Sequence, residues 1–186
     1  MYDAIVLAGG RARRLGGVAK PQLEVAGRTL LDHVVAAVRG AQRVIVVGPE
    51  QPVAGDVLFC REDPPGAGPV AAIAAALPHT SAEAVLVLAA DLPQIAPAVP
   101  ELLSALPGSG AALLVDAGGR VNYLAGAWRR PDLAAALHAI GEPAGAPVRA
   151  LAALVDQVHV PDQDGWGRDC DTWQDLADVR LPAKET

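Results

Sequence analysis

A chain of 186 residues that is 52% hydrophobic has enough apolar material for one substantial core and too little for two large ones, so a single domain over residues 1–186 is expected. The formal net charge of -6 argues against a general nucleic-acid binder. No run reaches the roughly 18 to 20 apolar residues of a membrane span, and the N-terminus lacks a basic stretch followed by an apolar one, so a cytoplasmic protein with no membrane partner is expected.

The first element is the apolar run 4–7, read as a buried strand that delivers the chain to Gly9 and Gly10. Paired glycines without side chains let backbone N–H groups point at an anion. Arg11, Arg13, Arg14 and Lys20 crowd positive charge into the same stretch of an otherwise acidic chain, which favours a polyphosphate ligand. Neither Gly-x4-Gly-Lys-Ser/Thr nor Gly-x-Gly-x-x-Gly is present, so the two common phosphate loops are excluded.

Apolar runs at 44–47, 57–60, 84–89 and 111–115 read as further strands covered on both faces. Between them, 30–38 predicts a helix ended by Gly40, 70–77 an Ala-rich helix entered through the Pro64 to Pro69 turn, and 97–106 another helix. The N–H groups and positive dipole end of the Ala-rich helix suit a phosphate or nucleotide nearby. The tight turn from Asp116 to Arg120 predicts a hairpin between 111–115 and 121–128. Helices are expected over 132–140 and 147–155, and Thr172 with Asp175 has the spacing of a helix-start signal. This alternation predicts an α/β fold, a three-layer α/β/α sandwich around a mostly parallel sheet. Cys60 and Cys170 form no Cys-x-x-Cys pair and are expected as free thiols, and the four histidines show no metal-ligand spacing.

The strand at 84–89 runs into Asp91, and ligands in open α/β sheets bind outside the carboxyl ends of strands. Asp91 is therefore expected in one crevice with the glycine loop, where a hard carboxylate can hold Mg²⁺ against phosphates. Asp169 and Asp171 alternate on an extended segment; one of them could complete the Mg²⁺ site, Asp171 being preferred.

Leu-Ala-Gly-Gly-x3-Arg-x-Gly-x3-Lys at 7–20, Gly68-Pro69-Val70-Ala71, Asp91-x-Pro93 and Asp171-Thr172-x-x-Asp175 appear in the order seen in the MobA-like nucleotidyltransferases, and the chain resembles that family over nearly its whole length. The resemblance implies a Rossmann-like fold that binds NTP and Mg²⁺ and joins an NMP to a phosphorylated acceptor with release of pyrophosphate. It is greatest to the branch that joins GMP from GTP to molybdopterin, a phosphorylated pterin. It implies nucleotide contacts at Leu7, Ala8, Gly9, Gly10, Lys20, Asp63 and Asp91, catalytic roles for Arg14, Lys20 and Asp91, and Mg²⁺ on Asp91 with Asp171. Transient contact with proteins that donate or accept the molybdenum cofactor is expected with it.

Departures from the family pattern are Val47 where guanylyltransferases often have Asn, Ala19 where Asp is frequent before the lysine, and Asn122-Tyr123-Leu124 in place of a Gln-Pro-Leu-like stretch. Asp169 and Asp171 are Asn in some relatives. The same parts would serve a molybdopterin cytidylyltransferase, a sugar-phosphate or phospholactate nucleotidyltransferase, or, in another class, a non-catalytic nucleotide- or cofactor-binding partner. Pterin contacts are expected between residues 120 and 149, from Arg120, Arg129, Arg130, Arg149, Tyr123 and Trp128.

Overall fold

Continuous runs of valine, isoleucine, leucine and alanine have no polar face to present to water, and they form the interior of a seven-stranded sheet. The computed structural model describes residues 1–9 and 19–179; Gly10, Arg11, Arg13 and Arg14 of the expected phosphate loop lie outside them. The strands are β1 (Tyr2–Leu7), β4 (Val44–Val47), β5 (Leu58–Cys60), β6 (Ala84–Ala89), β7 (Ala111–Val115), β8 (Val121–Arg129) and β9 (Gln157–Pro161), while β2 (Glu24–Val25) and β3 (Arg28–Thr29) form a separate small hairpin. The sheet order is β5-β4-β1-β6-β8-β7-β9, and β8 alone runs against the others.

Six helices complete the described fold: α1 (Leu30–Ala37), α2 (Pro69–Ala76), α3 (Ala98–Ala105), α4 (Arg130–Ile140), α5 (Val148–Ala152) and α6 (Trp173–Asp178). Side chains alternate across each strand, so the two faces of β1 feed different cores. Ala4 and Val6 pack with Leu31, Val34 and Val35 of α1 and Ala98, Val99 and Leu102 of α3. Ile5 and Leu7 pack with Val70 and Ile73 of α2, Leu133 of α4 and Leu151 of α5. The result is three layers, α/β/α, as the alternation of elements implies.

Local chemistry sets the element boundaries. The Thr29 hydroxyl accepts from Asp32 N–H (3.0 Å) to cap α1, which ends before Gly40. The Asp116 carboxylate accepts from Gly118 and Arg120 N–H, both at 2.9 Å, closing the turn of the β7–β8 hairpin. Pro at the first or second position starts α2 and α4. The predicted helix over 147–155 is shorter than expected, because the chain leaves α5 at Ala152 to form β9, a strand the sequence reading omitted. Both cysteines are free, and among the described residues no helix is long and apolar enough to cross a membrane.

Candidate active site

Three backbone hydrogen bonds join the carboxyl ends of four neighbouring strands. Gly48 N–H donates to Cys60 O (2.9 Å), Ala8 N–H to Val47 O (2.8 Å) and Ala90 N–H to Leu7 O (3.0 Å). They tie the exits of β5, β4, β1 and β6 into one floor that leads to Gly9 and Asp91. Gly48 has φ +151°, and a Cβ there would stand 3.0 Å from the carbonyl carbon and oxygen of Ala8 and 3.1 Å from Gly9 N. Only glycine lets the two backbones meet this closely.

Above this floor Lys20 ion-pairs with Asp91 and reaches Asp171 Oδ1 at 2.5 Å. Lys20 opens a short 3-10 turn, Lys20–Gln22, anchored by buried Pro21. A small core of Leu23, Val25, Leu30 and Cys170, with Leu176 and Val179 against it, joins that turn and the β2–β3 hairpin to the C-terminal segment. Cys170 N–H donates to Asp91 O (3.2 Å), fixing the segment against the end of β6. Immediately after it, Thr172 and Asp175 make a reciprocal capping box at the start of α6. Arg168 holds the Asp175 carboxylate at 3.1 Å.

Electrostatics follow from this convergence. Burial alone would lower the Lys20 pKa, but the hydrogen bonds it donates to Asp171 and Asp91, with their charges, outweigh it and hold the ammonium above its ordinary value. Burial, then the like charges of Asp171 and Asp91, push the Asp169 carboxyl up. The Cys170 thiol is pushed up to about 12 by burial and by the nearby Asp91 charge, so it is an inert packing group.

One carboxylate oxygen from each of Asp91, Asp169 and Asp171 lies within 4.8 Å of the others. Asp91 Oδ1 is buried and has no hydrogen-bond partner among the described residues. An all-oxygen donor set with an unsatisfied buried member fits a hard divalent cation.

Residues 4–162 match the MobA-like NTP transferase domain. The chain belongs to the MobA-like NTP transferase family. It is 35% identical over 134 residues to a molybdenum cofactor guanylyltransferase of Acidiphilium cryptum, covering 67% of this chain and 65% of the relative. It is 30% identical over 143 residues to one of Shewanella frigidimarina, covering 74% and 73%. Against the Shewanella amazonensis and Acidiphilium proteins the matched stretch spans somewhat under two thirds of the relative's length, 63% and 65%. Among solved structures, the molybdopterin-guanine dinucleotide biosynthesis protein A of Archaeoglobus fulgidus shares the fold with a TM-score of 0.71 and 21% identity, over 94% of this chain and 95% of that one. A 2-C-methyl-D-erythritol 4-phosphate cytidylyltransferase of Thermus thermophilus superposes with a TM-score of 0.71 and 26% identity, over 95% and 96%.

Of the residues the family resemblance singles out, Leu7, Ala8, Gly9, Lys20 and Asp91 share the floor and cluster just described. Asp63 is exposed in the loop between β5 and α2, whereas Arg14 and Gly10 lie outside the described residues. Asp171 meets Asp91 as expected, and Asp169 joins both; the alternation Asp169-x-Asp171 carried that signal, and the reading preferred one acid where the structure gathers two. The expected pterin contacts separate. Tyr123 and Asn122 lie on the part of β8 that extends beyond Ala125, which pairs with Leu88 near the Asp91 end of β6; Arg129 pairs with Ala84 at the opposite end. Trp128 is fully buried beside Arg129 and cannot stack on a ligand, because its ring fills the core against Val85 and Leu113. Arg130 donates to the Thr80 hydroxyl (3.0 Å) at that far end. Asn122, a departure from the family pattern, binds the Gly167 carbonyl (2.8 Å) and so steadies the loop leading to Asp169.

Proposed function

We propose that the chain is a nucleotidyltransferase that joins GMP from GTP to molybdopterin and releases pyrophosphate. The observation that carries this reading is the convergence of Lys20, Asp91, Asp169 and Asp171 beside the peptide floor of Leu7, Ala8 and Gly9. The names of the relatives support guanine as the base and molybdopterin as the acceptor.

Nucleotidyl transfer needs the acceptor phosphate in line with the α-phosphorus, and most of the acceleration comes from positioning and from stabilising charge on the transferred group and leaving pyrophosphate. Backbone N–H groups at Gly9 and Gly10 cradle the β and γ phosphates, and Arg14 adds charge there. Lys20, held between two carboxylates, would carry positive charge to the α-phosphate and the incoming acceptor. Asp91, Asp169 and Asp171 would hold Mg²⁺, which supplies neutralising charge to the nucleotide oxygens. A phosphate monoester is already ionised at neutral pH, so no protein nucleophile is required. Asp63 borders the nucleotide, while Tyr123, Arg120 and Arg149 border the acceptor. The reaction belongs in the cytoplasm, with transfer to or from molybdenum cofactor proteins.

Pyrophosphate release with Mg²⁺ and molybdopterin, measured for GTP, CTP, ATP and UTP in parallel, tests the reading. GTP is the expected substrate. A preference for CTP moves the protein to cytidylyl transfer. Silence with every nucleotide, and with sugar phosphates and phospholactate as acceptors, replaces the enzyme with a nucleotide-binding partner.

A further inference from the structure

Acids of like charge do not gather unaided, and of the three that converge Asp169 has the least to hold it there. Lys20 reaches Asp91 and Asp171, whereas Asp169 makes no ion pair among the described residues. Its place is set by the backbone on either side. Downstream, the buried Cys170 donates its N–H to Asp91 O (3.2 Å). Upstream the anchor is Gly167, gripped by two side chains: Asp162 Oδ2 accepts from Gly167 N–H (2.9 Å), and Asn122 Nδ2 donates to Gly167 O (2.8 Å). Asp162 Oδ1 also accepts from Trp166 N–H (2.7 Å), and Asp162 N–H donates to Val115 O (2.8 Å), so the loop starts from the end of β7. A Cβ on Gly167 would stand 3.2 Å from Leu114 Cδ1 and 3.4 Å from Asn122 Nδ2, a measure of how closely the loop is drawn against the β7–β8 pair.

Asn122 sits where that pair breaks register. Leu113 faces Gly126 and Leu114 faces Asn122, which leaves Tyr123, Leu124 and Ala125 of β8 as a bulge with no partners on β7. Asn122 Oδ1 accepts from Leu124 N–H (3.0 Å), so one end of the amide closes the bulge while the other holds Gly167. These two contacts fix which way the amide points, and they use both its acceptor and its donor.

We propose that Asn122 is a positioning residue for the divalent-cation site: by tying the β8 bulge to Gly167 it sets the Asp169 carboxylate against Asp91 and Asp171. The inference rests on reading those three acids as the cation site. Groups that orient a metal ligand without touching the ion typically govern roughly 10- to 100-fold in affinity.

The test is a titration of the full, nucleotide-free chain with Mn²⁺, which shares the preference of Mg²⁺ for oxygen ligands and is read directly by electron paramagnetic resonance. Asn122→Leu, similar in shape but without donor or acceptor, is expected to weaken Mn²⁺ binding by roughly tenfold or more. Should it not fold, Asn122→Ser, whose hydroxyl is too short to span both contacts, carries the same expectation. Asp169→Asn should weaken binding too, and adding Asn122→Leu to it should change the affinity by no more than about twofold, because a residue that acts through Asp169 has nothing left to position. A merely structural asparagine would lower Tm and leave the Mn²⁺ affinity where it was. Wild-type affinity in Asn122→Leu, or a full additional loss in the double variant, overturns the assignment and leaves the cation site standing. Binding unchanged in Asp169→Asn removes that acid from the site and the assignment with it, and a wild type that binds no Mn²⁺ overturns the cation reading itself.

Discussion

Lys20 and Asp171 meet at 2.5 Å although 151 residues separate them. The contact closes the C-terminal segment over the end of the sheet and leaves the ammonium poised between two acids. Replacing Lys20 by Ala should lower the rate of pyrophosphate release by roughly 100-fold or more, with a smaller change in GTP affinity, because an oriented charge acts mainly on the transition state. Near-normal turnover in that variant would remove Lys20 from the reaction.

Lys20 also sets the alkaline side of the pH behaviour. Its pKa is raised above the unfolded value, so its ion pairs stabilise the native state fully below that value and are lost as pH rises through the folded one. Rates between about pH 7 and 9 should therefore show no descending limb from this group, whose ordinary pKa is about 10.4. A midpoint near 8 that disappears in Lys20→Arg contradicts the assignment.

Asp169 should trade stability against metal binding. Its carboxyl is raised, so ionising it opposes folding above the folded pKa, and this penalty vanishes below the unfolded pKa, where the group is protonated in both states. Asp169→Asn is expected to raise Tm at neutral pH without divalent cations and to reduce the further rise produced by Mg²⁺. An undiminished Mg²⁺ response excludes Asp169 as a ligand.

Two glycine substitutions separate site from scaffold. Gly48→Ala drives a methyl to 3.0 Å from the Ala8 carbonyl and should weaken GTP binding as well as cost on the order of 1–3 kcal/mol of stability. Gly126→Ala meets Leu113 Cδ2 at 2.5 Å and Ala112 O at 3.0 Å within the β7–β8 pair, and should cost a similar amount with GTP affinity unchanged. Urea denaturation and nucleotide titration of both variants read the difference; equal loss of GTP affinity in the two would deny Gly48 a role at the site.

The sheet's hydrophobic runs and the hairpin turn at Asp116 are visible in sequence because burial on both faces and turn chemistry are local properties. Strand β9 was missed because Gln157, His159 and Pro161 interrupt its apolar residues, and its pairing with β7 is fixed only by the tertiary fold. Asp91 was legible from its place after a strand. The gathering of Asp169 with it depends on Cys170 packing against Leu23, Val25 and Leu30, a contact across the chain that no local pattern announces. Trp128 was misplaced for a related reason: an aromatic residue beside two arginines reads as a ligand platform until the register of β8 puts all three at the far end.

The floor under Gly9 is made of peptide groups from Leu7, Ala8, Val47, Gly48, Cys60 and Ala90. Every residue type carries a carbonyl, and all but proline an N–H, so descent can exchange the side chains of these strands while the hydrogen-bonded frame survives. Divergence is constrained most sharply at Gly48, where bulk rather than chemistry is forbidden. A lineage built on such a frame is free to alter the few side chains around it without rebuilding the hydrogen-bonded surface beneath them.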